Sequence, residues 1–200
     1  MRKGWLLSVG ICLLWVSLCV PQNALGQADD NLLVSKVLEK EFGGRSGFTV
    51  VAPKTSFVSD KALFRDLIEQ TRARETMKVY FNKEGYNIGP LVDLLFERNT
   101  GPVRLSLKSC PQNGYFIDYH AKYYKYFEKN GGGWKKLGKE NPKARGMTRI
   151  SLPAYDPDLH ILLVYYGTQY DWLAGAGYVV AYRYENDQLN ELGRITIWIS

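Results

Sequence analysis

Cysteine, histidine and unbroken apolar sequence are all scarce in this chain of 200 residues, which has three cysteines, two histidines and one long apolar run. Cys12 and Cys19 lie inside that run, so beyond it Cys110 stands alone and no internal disulfide can be closed there. Stability must therefore come from a packed core. Metal chemistry needs converging ligands, and the chain has no Cys-x-x-Cys, His-x-x-x-His or His-Glu-x-x-His. Asp156-Pro157-Asp158 lacks the further oxygen ligands and the glycine of a calcium loop and reads as a turn. No phosphate-binding glycine pattern is present. The nearest approach, Gly175-Ala176-Gly177, has Val180 where a third glycine would stand and leads into a strand, so it reads as a tight turn or a close backbone approach. No tract repeats at a fixed period, which excludes solenoids and propellers. No cofactor is implied, and no Asn-x-Ser/Thr sequon occurs.

Charged residues make up 23% and aromatics 14% of the chain, a balance that argues against disorder. At the N-terminus, Arg2 and Lys3 precede the apolar run from Trp5 to Val20, and Pro21 follows. The run is shorter than the ~20 residues of a membrane-spanning helix. Small residues in Ala24-Leu25-Gly26 suit a signal peptidase, so cleavage is expected between Gly26 and Gln27. A lipoprotein reading through Cys19 is disfavoured by the bulky Leu18 before it. The expectation is an exported protein, periplasmic or extracellular, with residues 1–26 removed and no transmembrane segment in the mature chain.

Residues 27–200 read as a single α+β domain, helical to about 101 and β-rich from 102 to 200. Asp30 and Asn31 offer caps for a helix carrying Leu33, Val34, Val37, Leu38 and Phe42, which Gly43-Gly44 stops. A second helix is expected from about Asp60 to Ala73, capped by Ser59, with Leu63, Phe64, Leu67 and Ile68 on one stripe. A third begins at Pro90 and carries Leu91, Leu94 and Leu95. Phe48 to Ala52 and Met77 to Phe81 read as short β-prone runs. Past Gly101-Pro102 the apolar period moves towards two. Strands are expected at Val103 to Ser109, Tyr115 to Lys129, Trp134 to Leu137, Thr148 to Leu152, His160 to Tyr166, Tyr178 to Tyr184 and Leu189 to Ile199. The polar turn Glu185-Asn186-Asp187-Gln188 marks the clearest hairpin, and Gly131-Gly132-Gly133 a second reversal. Short connections favour an antiparallel meander with the helices packed on one face.

The formal charge is +6, unevenly spread. From Lys108 to Arg149 there are ten basic and three acidic residues, net +7, whereas residues 150–200 carry two basic and six acidic. An excess of that size attracts anions. All 14 tyrosines lie at or beyond Tyr80. On an extended strand from Tyr115 to Lys129, His120, Lys122, Tyr124 and Tyr126 would share one face and offer cations, donors and flat rings to a ligand. The same pattern also suits an ordinary solvated strand face. Cys110 with His120 or His160 and Asp118 or Asp158 could be imagined as a thiol nucleophile and base, but nothing near Cys110 marks a helix N-terminus that would activate it, and a free cysteine packs as a small hydrophobe.

No catalytic residues are assigned. The leading expectation is a non-catalytic binding or interaction module using a basic, Tyr-rich sheet face, with an anionic or glycan envelope component or another protein as partner. Export argues against nucleic acid. The alternatives are an exported hydrolase with an unrecognised site and a self-associating envelope subunit whose positive middle pairs with the negative C-terminal stretch of another copy.

Overall fold

The computed structural model describes residues 22–57 and 67–200. The chain runs through α1 (Gln22–Phe42), β1 (Phe48–Val51), α2 (Leu67–Lys83), α3 (Gly89–Arg98), β2 (Tyr115–Ile117), α4 (Gly133–Glu140), β3 (Ala144–Ile150), β4 (Ala154–Asp156), β5 (Ile161–Asp171), β6 (Ala174–Glu185) and β7 (Gln188–Ile199). Among the described residues, four α-helices and a seven-stranded, mostly antiparallel sheet make this an α+β protein.

Local chemistry explains the elements that match expectation. Leu33, Val34, Val37, Leu38 and Phe42 recur at helical spacing and all are buried, so α1 lays one stripe on the sheet. The helix begins at Gln22, however, so Asp30 and Asn31 do not cap it but reach outward from its middle, Asp30 to Arg98 at 2.5 Å and Asn31 to the Ser106 N–H at 2.9 Å. Pro90 occupies the first turn of α3, where its missing N–H costs nothing. Asn186 and Asp187, with φ of 51° and 63°, form the turn between β6 and β7. Both positive angles are what a tight two-residue hairpin connection requires.

The sheet departs from a meander. Its order is β2-β1-β3-β5-β6-β7, with β4 paired to β5, and β1 runs parallel to both β2 and β3. A strand from the first half is thus inserted beside strands from the second, as long crossover connections permit. The helices also lie on both faces rather than one. On one side α1 packs on Val51, Ile150, Leu162, Val164, Val180 and Tyr182. On the other, Met77 and Phe81 of α2 and Leu91, Val92 and Leu95 of α3 pack on Leu163, Tyr165, Val179 and Ala181. Leu137 of α4 covers Val50 and Met147.

Several local expectations are corrected for identifiable reasons. Met77 and Phe81 are fully buried one helical turn apart within α2, so their apolar pattern is helical, not extended. Trp134 and Leu137 sit three apart with lysines between them; they form the inner side of α4 instead of a strand. Gly132 and Gly133, with φ of 86° and 61°, turn the chain into that helix. Val103 to Ser109 makes one isolated bridge, Arg104 to Lys54, in place of a strand. Its backbone is served instead by the Tyr119 hydroxyl, which accepts from the Leu107 N–H at 2.8 Å and lies within bonding distance of the Leu105 and Leu107 carbonyls. The expected strand from Tyr115 to Lys129 ends at Ile117. There the buried Asp118 carboxylate accepts from the backbone N–H groups of Lys122, Tyr123 and Tyr124 at 2.7, 2.9 and 2.9 Å. Three such bonds stabilise a turn over continued extension, and Tyr124–Phe127 follows as a 3-10 helix.

The apolar run Trp5 to Val20, with Cys12 and Cys19, lies outside the described residues, as do Ser59, Leu63 and Phe64 of the second expected helix. Gly26 and Gln27 fall within α1. Among the described residues no helix is long and apolar enough to cross a membrane.

A buried polar group ties α1 to the sheet. The Glu41 carboxylate accepts hydrogen bonds from the hydroxyls of Tyr166 and Tyr182 and, at 2.9 Å, from Arg194 of β7. Burial works to raise the Glu41 pKa, but these donors outweigh it and hold the carboxyl below its ordinary value. Burial, then the adjacent carboxylate, pushes both tyrosines far above theirs.

Candidate functional site

Helices α2 and α3 cover one part of the second sheet face and α4 another, and a cleft of about 600 Å³ opens between them. Its floor comes from Met147 and Arg149 of β3 and Tyr165, Gly167 and Gln169 of β5. These are alternate positions along each strand, so they face the same side. Phe57 forms one wall, held edge-on by Phe96 of α3 at 4.8 Å and Tyr165 at 5.6 Å between ring centroids. The opposite wall is Tyr124 and Phe127 of the 3-10 helix, Trp134 of α4 and Trp172 of the β5–β6 hairpin. Phe127 meets Trp134 at 4.7 Å and Trp172 at 5.9 Å, both edge-to-face. Such packing fixes ring orientation before any ligand arrives.

Glycines make room for the remaining wall. Gly167 and Gly177 are cross-strand partners, and the Trp198 indole lies over both of them. A Cβ on Gly177 would stand 2.0 Å from the indole Nε1, so no larger residue fits beneath it. The indole N–H donates to the Tyr165 hydroxyl at 3.0 Å. The Gly175-Ala176-Gly177 stretch is therefore the close backbone approach expected of it, not a phosphate loop.

The polar groups are few and placed. Arg149 hydrogen bonds the Tyr124 hydroxyl; burial pushes that phenol above its ordinary pKa and the guanidinium pulls against the rise. Gln169 donates to the Asp171 carbonyl at 2.6 Å and to the Ser200 hydroxyl at 3.3 Å. The Asp171 carboxylate accepts from the Trp172 N–H at 2.7 Å. Among the described residues Asp171 is the one side-chain carboxylate lining the cleft, and no histidine or cysteine side chain lines it.

The four residues singled out from sequence do not share a face. His120 is exposed in the turn after β2. Lys122 is exposed too, its ammonium 5.8 Å from the Phe116 ring centroid and 5.1 Å from that of Tyr123. Tyr126 is buried against α4, where its hydroxyl donates to Glu140 at 2.6 Å and accepts from Asn141 at 3.0 Å. Only Tyr124 reaches the cleft. Half-buried Cys110 packs at the edge of the α1 cluster, with its backbone bridged to Tyr115, and is not in the cleft. Asp156 makes the expected turn, its carboxylate accepting from the N–H groups of Asp158 and Leu159 at 2.9 and 3.0 Å. Among the described residues no three His, Cys, Asp or Glu side chains converge as metal ligands.

The residues overlooked are mainly tryptophans. Trp134, Trp172 and Trp198 are all the tryptophans beyond Gly26, and all three line the cleft. Trp172 stands out in retrospect, because Asp171-Trp172-Leu173 places a large apolar ring in a hairpin turn where it is 66% exposed. No family model, curated protein or solved structure matches the chain.

Proposed function

We propose that this is an exported, non-catalytic binding protein whose aromatic cleft holds saccharide rings. One observation carries the reading: a preformed cleft of about 600 Å³ is walled by seven aromatic side chains and has Arg149, Gln169 and Asp171 at its base. Aromatic faces pack on the C–H faces of sugars, and a few placed donors and acceptors read the hydroxyl groups. Export rests on Arg2, Lys3, the apolar run and the small residues before Gln27. Cleavage after Gly26 would leave the buried α1 stripe from Leu33 to Phe42 in place.

The test is thermal unfolding of the chain, expressed with its own N-terminus, against cello- and chito-oligosaccharides and their acidic counterparts. Binding to the native state raises the midpoint by mass action. A saturable rise that Trp172→Ala clearly lowers at equal sugar concentration is expected. No rise with any sugar, or one that Trp172→Ala leaves untouched, would sink the proposal. N-terminal sequencing of the exported form should begin at Gln27; an intact N-terminus in the cell fraction would contradict export.

A further inference from the structure

We infer that the cleft is the middle of a longer groove that takes a linear, acidic oligosaccharide, an inference that rests on the saccharide reading above. The cleft is not closed at its ends. Towards α3 it shares Ser56, Phe57 and Arg149 with a second depression of about 490 Å³, whose lining includes Lys54, Thr55 and Asn99. Towards α4 it shares Trp134, Asp171 and Trp172 with a third of about 360 Å³, which includes Lys135 and Tyr170. Side chains common to neighbouring depressions are ridges between subsites, not end walls. That arrangement suits a polymer lying across all three rather than a single ring in one.

The charge along this path decides between acidic and neutral chains. Exposed Lys54 lies in one outer depression and exposed Lys135 in the other, with Arg149 between them. Asp171 is the one opposing side-chain carboxylate in the three linings among the described residues. Tyr124, Phe127 and Trp134 of the α4-side wall belong to the stretch from Lys108 to Arg149, net +7, whose Lys135 and Arg149 line the path. A path with a cation in each depression complements a chain with a carboxylate on successive units. A peptide added as a further strand is not accommodated here. The floor strands β3 and β5 are each hydrogen bonded on both sides, which leaves the floor of the groove without a free edge.

The experiment titrates the chain with galacturonate dimer, trimer and hexamer, with cellohexaose as the neutral equivalent, at low and near-physiological ionic strength. Hexaglutamate and a thymidine hexanucleotide serve as charge-matched controls. Hexagalacturonate should bind about tenfold tighter than the dimer because it engages the outer depressions, and salt should weaken it more than cellohexaose. Lys54→Gln and Lys135→Gln should each weaken the hexamer about two- to fivefold, the size of an exposed ion pair, and leave the dimer unchanged. If cellohexaose binds equally well at every salt concentration, or the lysine variants do nothing to the hexamer, the acidic-polymer inference is overturned while saccharide binding in the cleft stands. A control that matches hexagalacturonate also overturns it, in favour of that class of polyanion. If no sugar binds at all, this inference and the proposed function fall together.

Discussion

Replacing Glu41 by alanine should cost about 3 kcal/mol of stability, and the figure follows from what the carboxylate holds. Truncation orphans the buried Tyr182 hydroxyl completely and removes the acceptor for the Tyr166 proton. Each buried polar group left without a partner costs roughly 1–3 kcal/mol. Arg194 keeps its bond to Glu191 at 2.7 Å, so its charge is not stranded and the full ~3–5 kcal/mol of a broken buried ion pair is not reached. For a chain of this size about 3 kcal/mol corresponds to a midpoint lowered by roughly 6–12 °C. The sign of the pH dependence also follows. Because the folded carboxyl titrates below its ordinary value of 4.5, its contribution is complete above that value and is lost as the pH falls through the folded one. Urea unfolding of Glu41→Ala and the parent, at neutral pH and through the acid range, measures both effects. A loss under about 1 kcal/mol at neutral pH, or a variant whose stability falls with acid as steeply as the parent's, would refute the reasoning.

Three further outcomes test the packing around the cleft. Gly177→Ala places a methyl 2.0 Å from the Trp198 indole, so it should destabilise by about 1–3 kcal/mol and shift tryptophan emission to the red; an unchanged spectrum would show that the indole does not rest on the glycine. Asp118→Ala removes the acceptor of three backbone N–H groups and should cost about 2 kcal/mol while raising amide exchange from Lys122 to Phe127, with native-like exchange there as the contrary result. Lys122→Ala, at an exposed lysine that does not line the cleft, should leave short-oligosaccharide affinity within about twofold, and a larger loss would move the site towards the turn that follows β2.

The α1 stripe, α3 with its leading proline and the β6–β7 hairpin are legible because each depends on residues close in sequence. The sheet order is not, since β1 enters between β2 and β3 through pairings of Val50 with Phe116 and with Met147, separated by 66 and 97 positions. Helices on both faces follow from that same long-range order. The face formed by His120, Lys122, Tyr124 and Tyr126 fails for a local reason: alternation describes a strand only where nothing interrupts it, and Asp118 interrupts it. The cleft draws Phe57, Tyr124, Trp134, Trp172 and Trp198 from five separate segments. Aromatic richness was visible in the composition; convergence depends on the fold.

Tryptophan emission during an oligosaccharide titration tests the central claim most directly, because every tryptophan beyond Gly26 lines the cleft. The account predicts a saturable change in emission with hexagalacturonate and a curve displaced about tenfold to weaker binding in Trp172→Ala, the loss typical of an aromatic anchor. Emission that stays constant across acidic and neutral oligosaccharides, or saturates identically in the variant, would contradict it.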